Sequence, residues 1–117
     1  MIGGAITAFV AVEHLGFLVL EMFLWRKPIG LRVFRNTAER AAVSAVLAAN
    51  QGLYNGFLAA GLLWSLLASN PDVAFQARVF FLSCCAVVGC FGAVTASSTI
   101  FLVQAVPALL ALAATVR

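Results

Sequence analysis

The chain has 117 residues, of which 64% are hydrophobic and only 9% are charged. An average soluble domain is roughly 25% charged, so this composition disfavours a soluble globular protein and favours one whose surface faces lipid. The net charge of +3 is small, and five of the seven basic residues lie within residues 26–40, without an accompanying basic and aromatic surface. The absence of such a surface excludes nucleic acid as the expected partner.

The first predicted helix covers about residues 2–25. Inside this apolar run lie three ionisable residues: Glu13, His14 and Glu21. Roughly 20 apolar residues cross a bilayer, whereas each ionised group near its centre costs on the order of 2.5–3.5 kcal/mol. The sequence therefore predicts that these groups have partners, line a water-filled cavity or are neutral. The segment has no basic start and no small-residue cleavage site, so we do not expect it to be a cleaved signal peptide.

A basic loop follows at residues 26–40, which the positive-inside rule places in the cytoplasm. Asn36, with Glu39 three residues later, is a candidate helix cap, and the second predicted helix covers about residues 37–67.

The centre of this helix is predicted to have a polar face of Asn50, Gln51, Tyr54 and Asn55. On its other side runs a small-residue row of Ala48, Gly52, Gly56 and Ala60. Such a row favours close packing against another helix, in the same chain or in a partner.

The third predicted helix covers about residues 73–93, with Pro71 suited to the helix start. Residues 79–116 carry no charge and would be about 57 Å long as one helix, roughly twice the hydrocarbon thickness. We therefore predict a turn within residues 92–99. A fourth helix over about 98–116 follows, containing Gln104 and a kink at Pro107.

These helices predict an all-α integral membrane four-helix bundle, a single domain over residues 1–117. Because the basic loop is placed inside, four spans put both termini in the extracytoplasmic space of a bacterial cytoplasmic (inner) membrane.

Depth along the helices predicts where the polar residues meet. Aligning Trp25 with Ala41 at the inner boundary places Glu13 and His14 level with the amide residues, and Glu21 level with Ala45. The candidate residues for ligand binding or proton handling are therefore Glu13, His14, Glu21, Asn50, Gln51, Tyr54, Asn55 and Gln104.

Each polar group also has a purely structural interpretation. His14 is a hydrogen-bonded core residue, a proton-handling or ligand-contacting residue, or a metal or haem ligand. Because a lone histidine lacks the partners that a metal site needs, we predict no metal and no cofactor. The amide residues either join helices by hydrogen bonds or line a binding surface. No motif of a soluble enzyme is present, so catalytic residues cannot be assigned.

Three functions fit these residues. The first is binding or transport of a small polar or cationic solute, with Glu13 and His14 changing protonation. The second is a membrane-embedded isomerase in which the same two residues act as acid and base on a lipid-like substrate. The third is a structural or accessory subunit. The expected partners are the bilayer, a small-molecule ligand, and a second copy or another membrane protein held through the small-residue row.

The polar residues also carry a resemblance to a known family. The sequence resembles small bacterial four-span membrane proteins, catalogued as domain of unknown function 1304, at Glu13-His14, Glu21-Met22, Trp25 and residues 48–58. The resemblance covers nearly the whole chain, including Gln104 and Pro107. It implies the four-span architecture and the same polar residues, and it implies no activity.

Overall fold

The computed structural model describes residues 1–95, 99 and 101–117, and within this part of the chain the secondary structure is helical. Its elements are α1 (Ile2–Met22), α2 (Pro28–Val33), α3 (Ala38–Leu67), α4 (Pro71–Thr95), a π-helical turn (Phe101–Ala105) and α5 (Val106–Val116). The prediction of an all-α protein is confirmed.

Two of the described helices, α1 and α4, are long and apolar enough to cross a membrane, with mean hydropathies of 1.8 and 2.0. The apolar stretch Leu102–Val116 is shorter than such a span, and α3 carries the amide residues noted in the sequence. Helix length and composition thus weakly indicate membrane association, whereas four spans stay a prediction.

The described chain divides into two compact units, Met1–Val12 with Leu58–Arg117 and, separately, Glu13–Phe57. In the first unit the core is built from small and aliphatic side chains: Val10, Ala11, Leu62, Leu82, Cys85, Ala86, Ala108 and Ala111. Glycine allows close approach at two places in this unit. Gly61 faces the ring of Phe81, and a Cβ added to Gly89 would lie 2.6 Å from the backbone nitrogen of Ala105.

The start of α4 in the first unit follows from its capping residues. The Asn70 side-chain oxygen accepts hydrogen bonds from the backbone N–H groups of Asp72 (2.9 Å) and Val73 (3.2 Å). Pro71 is the first helical residue, where its missing N–H costs no hydrogen bond. The helix accordingly begins slightly before the predicted position.

Near the end of the chain, also in the first unit, a π-helical turn interrupts the regular α-helix. The π-helical turn Phe101–Ala105 precedes α5, so the irregularity lies just before Pro107. Proline lacks the N–H of a regular helical hydrogen bond, and a π-type turn accommodates that loss. Within the predicted turn at residues 92–99, residues 92–95 belong to α4. Residues 96–98, and with them the predicted start of the last helix at residue 98, lie outside the described residues.

In the second unit, α1 ends at Met22, before the predicted end at Trp25. The backbone N–H groups of Phe23 and Leu24 both bond to the carbonyl of Val19, at 3.0 and 3.2 Å. This shared acceptor widens the last turn and releases the chain from the helix.

Pro28 then sets the direction of the chain. The residue before it, Lys27, is extended (φ −81°, ψ 159°), as the proline ring requires of its predecessor, and α2 begins at once. The backbone of Gly30 is buried against the carbonyl of Leu24, where a Cβ would overlap that oxygen. The predicted basic loop therefore contains a short helix folded against the end of α1.

The end of α2 places a non-glycine residue in the left-handed region. Arg35 has φ 51°, and its N–H bonds to Arg32 O while the N–H of Asn36 bonds to Leu31 O. This pair of bonds is a Schellman motif. α3 follows with Thr37 as its cap, because Thr37 Oγ1 accepts from the backbone N–H of Arg40 at 3.2 Å. The cap lies one residue later than the predicted Asn36.

Candidate functional site

Two glycines of α3 bring it close to α1 within the second unit. A Cβ added to Gly52 would lie 2.7 Å from Met22 Cγ and 3.1 Å from Glu21 Cβ, and one added to Gly56 would lie 2.7 Å from Leu18 Cδ1. Beside Gly52 the near atoms include the carbonyl oxygen of Leu18 at 3.2 Å, which cannot turn aside, so the helices approach this closely only because residue 52 is glycine. At Gly56 the near atom is the end of the Leu18 side chain, which can turn away. The central two members of the small-residue row therefore pack against a helix of the same chain.

This close approach joins an acid to an amide. Asn55, which is 4% exposed, donates a hydrogen bond from Nδ2 to Glu21 Oε1 at 2.5 Å. Glu21 is half-buried in the last turn of α1. A hydrogen bond between polar side chains of neighbouring membrane helices stabilises their contact by about 0.6–2 kcal/mol, so the pair supports the observed register of the two helices.

The remaining residues of the predicted polar face do not join this pair. Asn50, Gln51 and Tyr54 are exposed, whereas Asn55 is buried. At about 100° per residue, Asn55 lies only about 60° from Gly52, while Asn50 lies about 160° away. The predicted arc was thus wide enough to combine residues of two different faces.

The same geometry explains the ends of the small-residue row. Ala48 is buried, but Ala60 is exposed and Ala59 is buried in its place. Each four-residue step turns about 40° beyond a full revolution, so the three steps from Ala48 to Ala60 rotate the row by about 120°. Ala59, eleven residues after Ala48, is rotated from it by only about 20° on the helix, and both residues are buried.

Trp25 ties the end of α1 to the start of α3. Its indole Nε1 donates to Ser44 Oγ at 3.1 Å, and its ring lies 4.9 Å from the ring of Phe34, centroid to centroid. Glu21 bonds to Asn55, which lies farther along α3 than the predicted level of Ala45. The shift arises because α1 stops before Trp25, which leaves the indole to pair outside the helix.

An open cleft adjoins Glu21. Its volume is about 450 Å³, and it is lined by Glu21, Met22, Phe23, Trp25, Arg26, Lys27 and Ala45. Among these only Glu21 was a predicted site residue. The sequence signal for the others is the run of Trp25, Arg26 and Lys27, which by itself indicates a membrane boundary and not a site.

The remaining predicted site residues are buried or half-buried. His14 is fully buried, with its ring 5.4 Å from that of Phe17 in an edge-to-face arrangement. Glu13 is half-buried, and its buried Oε1 has no hydrogen-bond partner among the described residues. Gln104, in the π-helical turn of the first unit, is 9% exposed. Within the described residues, no group of three or more His, Cys, Asp or Glu side chains could hold a metal ion.

The family model for a protein of unknown function (DUF1304) matches residues 8–116 of this sequence. The chain belongs to the DUF1304 family. The resemblance seen at the polar residues is thereby confirmed, because the match includes all of them.

One relative shows how far the sequence similarity extends. The chain is 30% identical over 105 residues to "Uncharacterized protein YpaA" of Lactococcus lactis subsp. lactis (strain IL1403). The alignment covers 88% of this chain and 87% of that protein. No solved structure matches the chain. The comparisons therefore give a family and no activity.

Proposed function

We propose that this protein is a four-span protein of the bacterial cytoplasmic membrane that binds or transports a small polar or cationic solute. Two helices of membrane-spanning length and apolarity, α1 and α4, support the location. Five basic residues within 26–40 support a cytoplasmic loop there, with both termini extracytoplasmic.

The hydrogen bond between Asn55 and Glu21 carries the proposal of a solute site. An acid inside an apolar segment is costly, and such residues mark ligand or ion pathways. Asn55 occupies one carboxylate oxygen, and a carboxylate has further acceptor positions for a cation or a hydrogen-bond donor. Glu21 also lines the open cleft, through which a solute would reach it.

Glu13 and His14 are assigned the proton-handling role. They are adjacent in α1, and Glu13 has a buried oxygen with no hydrogen-bond partner among the described residues. Acidic and histidine side chains inside apolar membrane segments are typical of proton relays. In the proposed protein, Glu13 therefore couples solute movement to pH.

Uptake of radiolabelled guanidinium into proteoliposomes tests the proposal. Guanidinium is a permanent cation with several hydrogen-bond donors, so it crosses bare lipid poorly. We expect uptake by the wild type and by Glu39→Gln, a control at an exposed acid, and loss of uptake in Glu21→Gln. Equal uptake by wild type and Glu21→Gln would refute the site.

The proton-handling role is tested by the pH dependence of the same uptake. Glu13→Gln is expected to insert and fold but to lose the pH dependence. Unchanged pH dependence in this variant would refute the coupling while leaving the solute site standing.

A further inference from the structure

The cleft beside Glu21 brings together groups of opposite charge. Glu21, Arg26 and Lys27 all line it. The hydrogen bond of Glu21 goes to Asn55 rather than to either cation, and both cations are exposed. An acid and two cations that share a cleft without neutralising one another fit a ligand that carries both charges.

The position of the cleft points to the membrane interface. It lies at the end of α1, a helix long enough to cross a bilayer. Trp25 lines it and is held by its hydrogen bond to Ser44. Indole rings and basic side chains gather at the level of lipid headgroups.

From this arrangement we infer that the cleft binds a zwitterion that carries a primary ammonium and a phosphate, as in the headgroup of phosphatidylethanolamine. The ammonium donates to Glu21, and the phosphate lies against Arg26 and Lys27. The inference rests on the proposed function, because it names the ligand class of the same acid.

The charges select against other headgroups. Phosphatidylglycerol offers Arg26 and Lys27 a phosphate but leaves Glu21 without a cation. Phosphatidylcholine carries a quaternary ammonium, which cannot donate a hydrogen bond to the Glu21 carboxylate. Charge-assisted hydrogen bonds are the stronger kind, so ethanolamine is the preferred headgroup.

Native mass spectrometry tests the selection with the full chain. The protein is taken from nanodiscs containing equal amounts of phosphatidylethanolamine, phosphatidylglycerol and phosphatidylcholine, and the retained lipids are counted. Wild type is expected to retain mainly phosphatidylethanolamine. In Glu21→Gln the amide oxygen still accepts a hydrogen bond from Asn55. This variant is expected to retain about tenfold less phosphatidylethanolamine than the wild type and the same amount of phosphatidylglycerol.

The basic residues have a matched control. The double variant Arg26→Gln/Lys27→Gln is expected to lose retention of both phosphatidylethanolamine and phosphatidylglycerol. Arg32→Gln/Arg35→Gln removes two cations of the same loop that do not line the cleft, and it is expected to retain both lipids as the wild type does.

A second arm separates a lipid from a soluble source of the same chemistry. Binding of soluble phosphoethanolamine is measured calorimetrically in nanodiscs of phosphatidylcholine alone. If phosphoethanolamine binding depends on Glu21 but phosphatidylethanolamine is not selectively retained, the ligand is a soluble molecule of the proposed class. If retention of phosphatidylethanolamine depends on Glu21, the ligand is the lipid headgroup.

The outcomes also separate this inference from the proposed function. If guanidinium uptake depends on Glu21 but neither phosphatidylethanolamine nor phosphoethanolamine is selected, the inference fails and the solute site stands. If Glu21→Gln behaves as the wild type in all three assays, both fail.

Discussion

Asn55 Nδ2 lies 2.5 Å from Glu21 Oε1, and this hydrogen bond links the last turn of α1 to the middle of α3. It forms because Gly52, less than one turn earlier on α3, removes the side chain that would hold the helices apart. The interhelical hydrogen bond and the close helix packing thus depend on neighbouring residues of one helix.

Replacing Asn55 tests the pairing. Asn55→Ala leaves a half-buried carboxylate without its donor, so we expect the free energy of unfolding to fall by about 1–2 kcal/mol. Asn50→Ala is the matched control, because Asn50 is an exposed asparagine of the same helix; its effect should stay within about 0.5 kcal/mol. Unfolding in mixed micelles measures both, and equal losses would contradict the pairing.

Replacing Gly52 tests the close approach. In Gly52→Ala the new methyl group meets Met22 Cγ at 2.7 Å and Leu18 O at 3.2 Å, and we expect a loss of about 1–3 kcal/mol in the free energy of unfolding. Gly16 has no neighbouring atom within 4 Å of an added Cβ. Gly16→Ala should therefore be neutral or stabilise by up to about 1 kcal/mol, the ordinary gain of alanine in a helix. A Gly52→Ala variant as stable as Gly16→Ala would show that the helices are farther apart.

Arg35 offers a stabilising change. Its φ of 51° costs a residue with a side chain roughly 1–2 kcal/mol, whereas glycine adopts it freely. We expect Arg35→Gly to raise the free energy of unfolding by up to about 1 kcal/mol. Arg32→Gly, inside α2, should lower it by about 1 kcal/mol. The same micelle unfolding assay compares them, and a loss in both would contradict the left-handed cap.

The number of spans is tested at the exposed turn between α3 and α4. Four spans place Ser69 outside, whereas a protein spanning only with α1 and α4 places it in the cytoplasm. In a cysteine-free background, Ser69→Cys is expected to react with a membrane-impermeant maleimide on intact cells, and Arg35→Cys only after lysis. Protection of Ser69→Cys until lysis would reject four spans.

The sequence was sufficient for the features that follow from composition and helix periodicity. The apolar runs predicted α1 and α4, Pro71 predicted a helix start, and the Gly52–Gly56 spacing predicted a tight helix contact. The sequence does not decide which helix makes the contact, since a small-residue row has the same pattern whether its partner is in the chain or outside it.

The pairing of Glu21 could not be predicted in the same way. Its depth was counted from a helix continuing to Trp25, but the widened turn at Val19 and the proline at residue 28 end α1 earlier. The burial of Asn55 could not be predicted either, because this residue lies at the edge of the predicted polar arc. A small rotation about the helix axis decides whether such a residue is buried, and periodicity alone does not fix that rotation.

Solid-state NMR of the labelled protein in bilayers tests most directly that Glu21, held by Asn55, is the solute site. We expect a cross-peak between Asn55 Nδ2 and the Glu21 carboxyl carbon, and a shift of that carbon on addition of guanidinium while the Glu39 carboxyl is unmoved. A Glu21 carboxyl that shows no contact with Asn55 and does not respond to guanidinium would contradict the account.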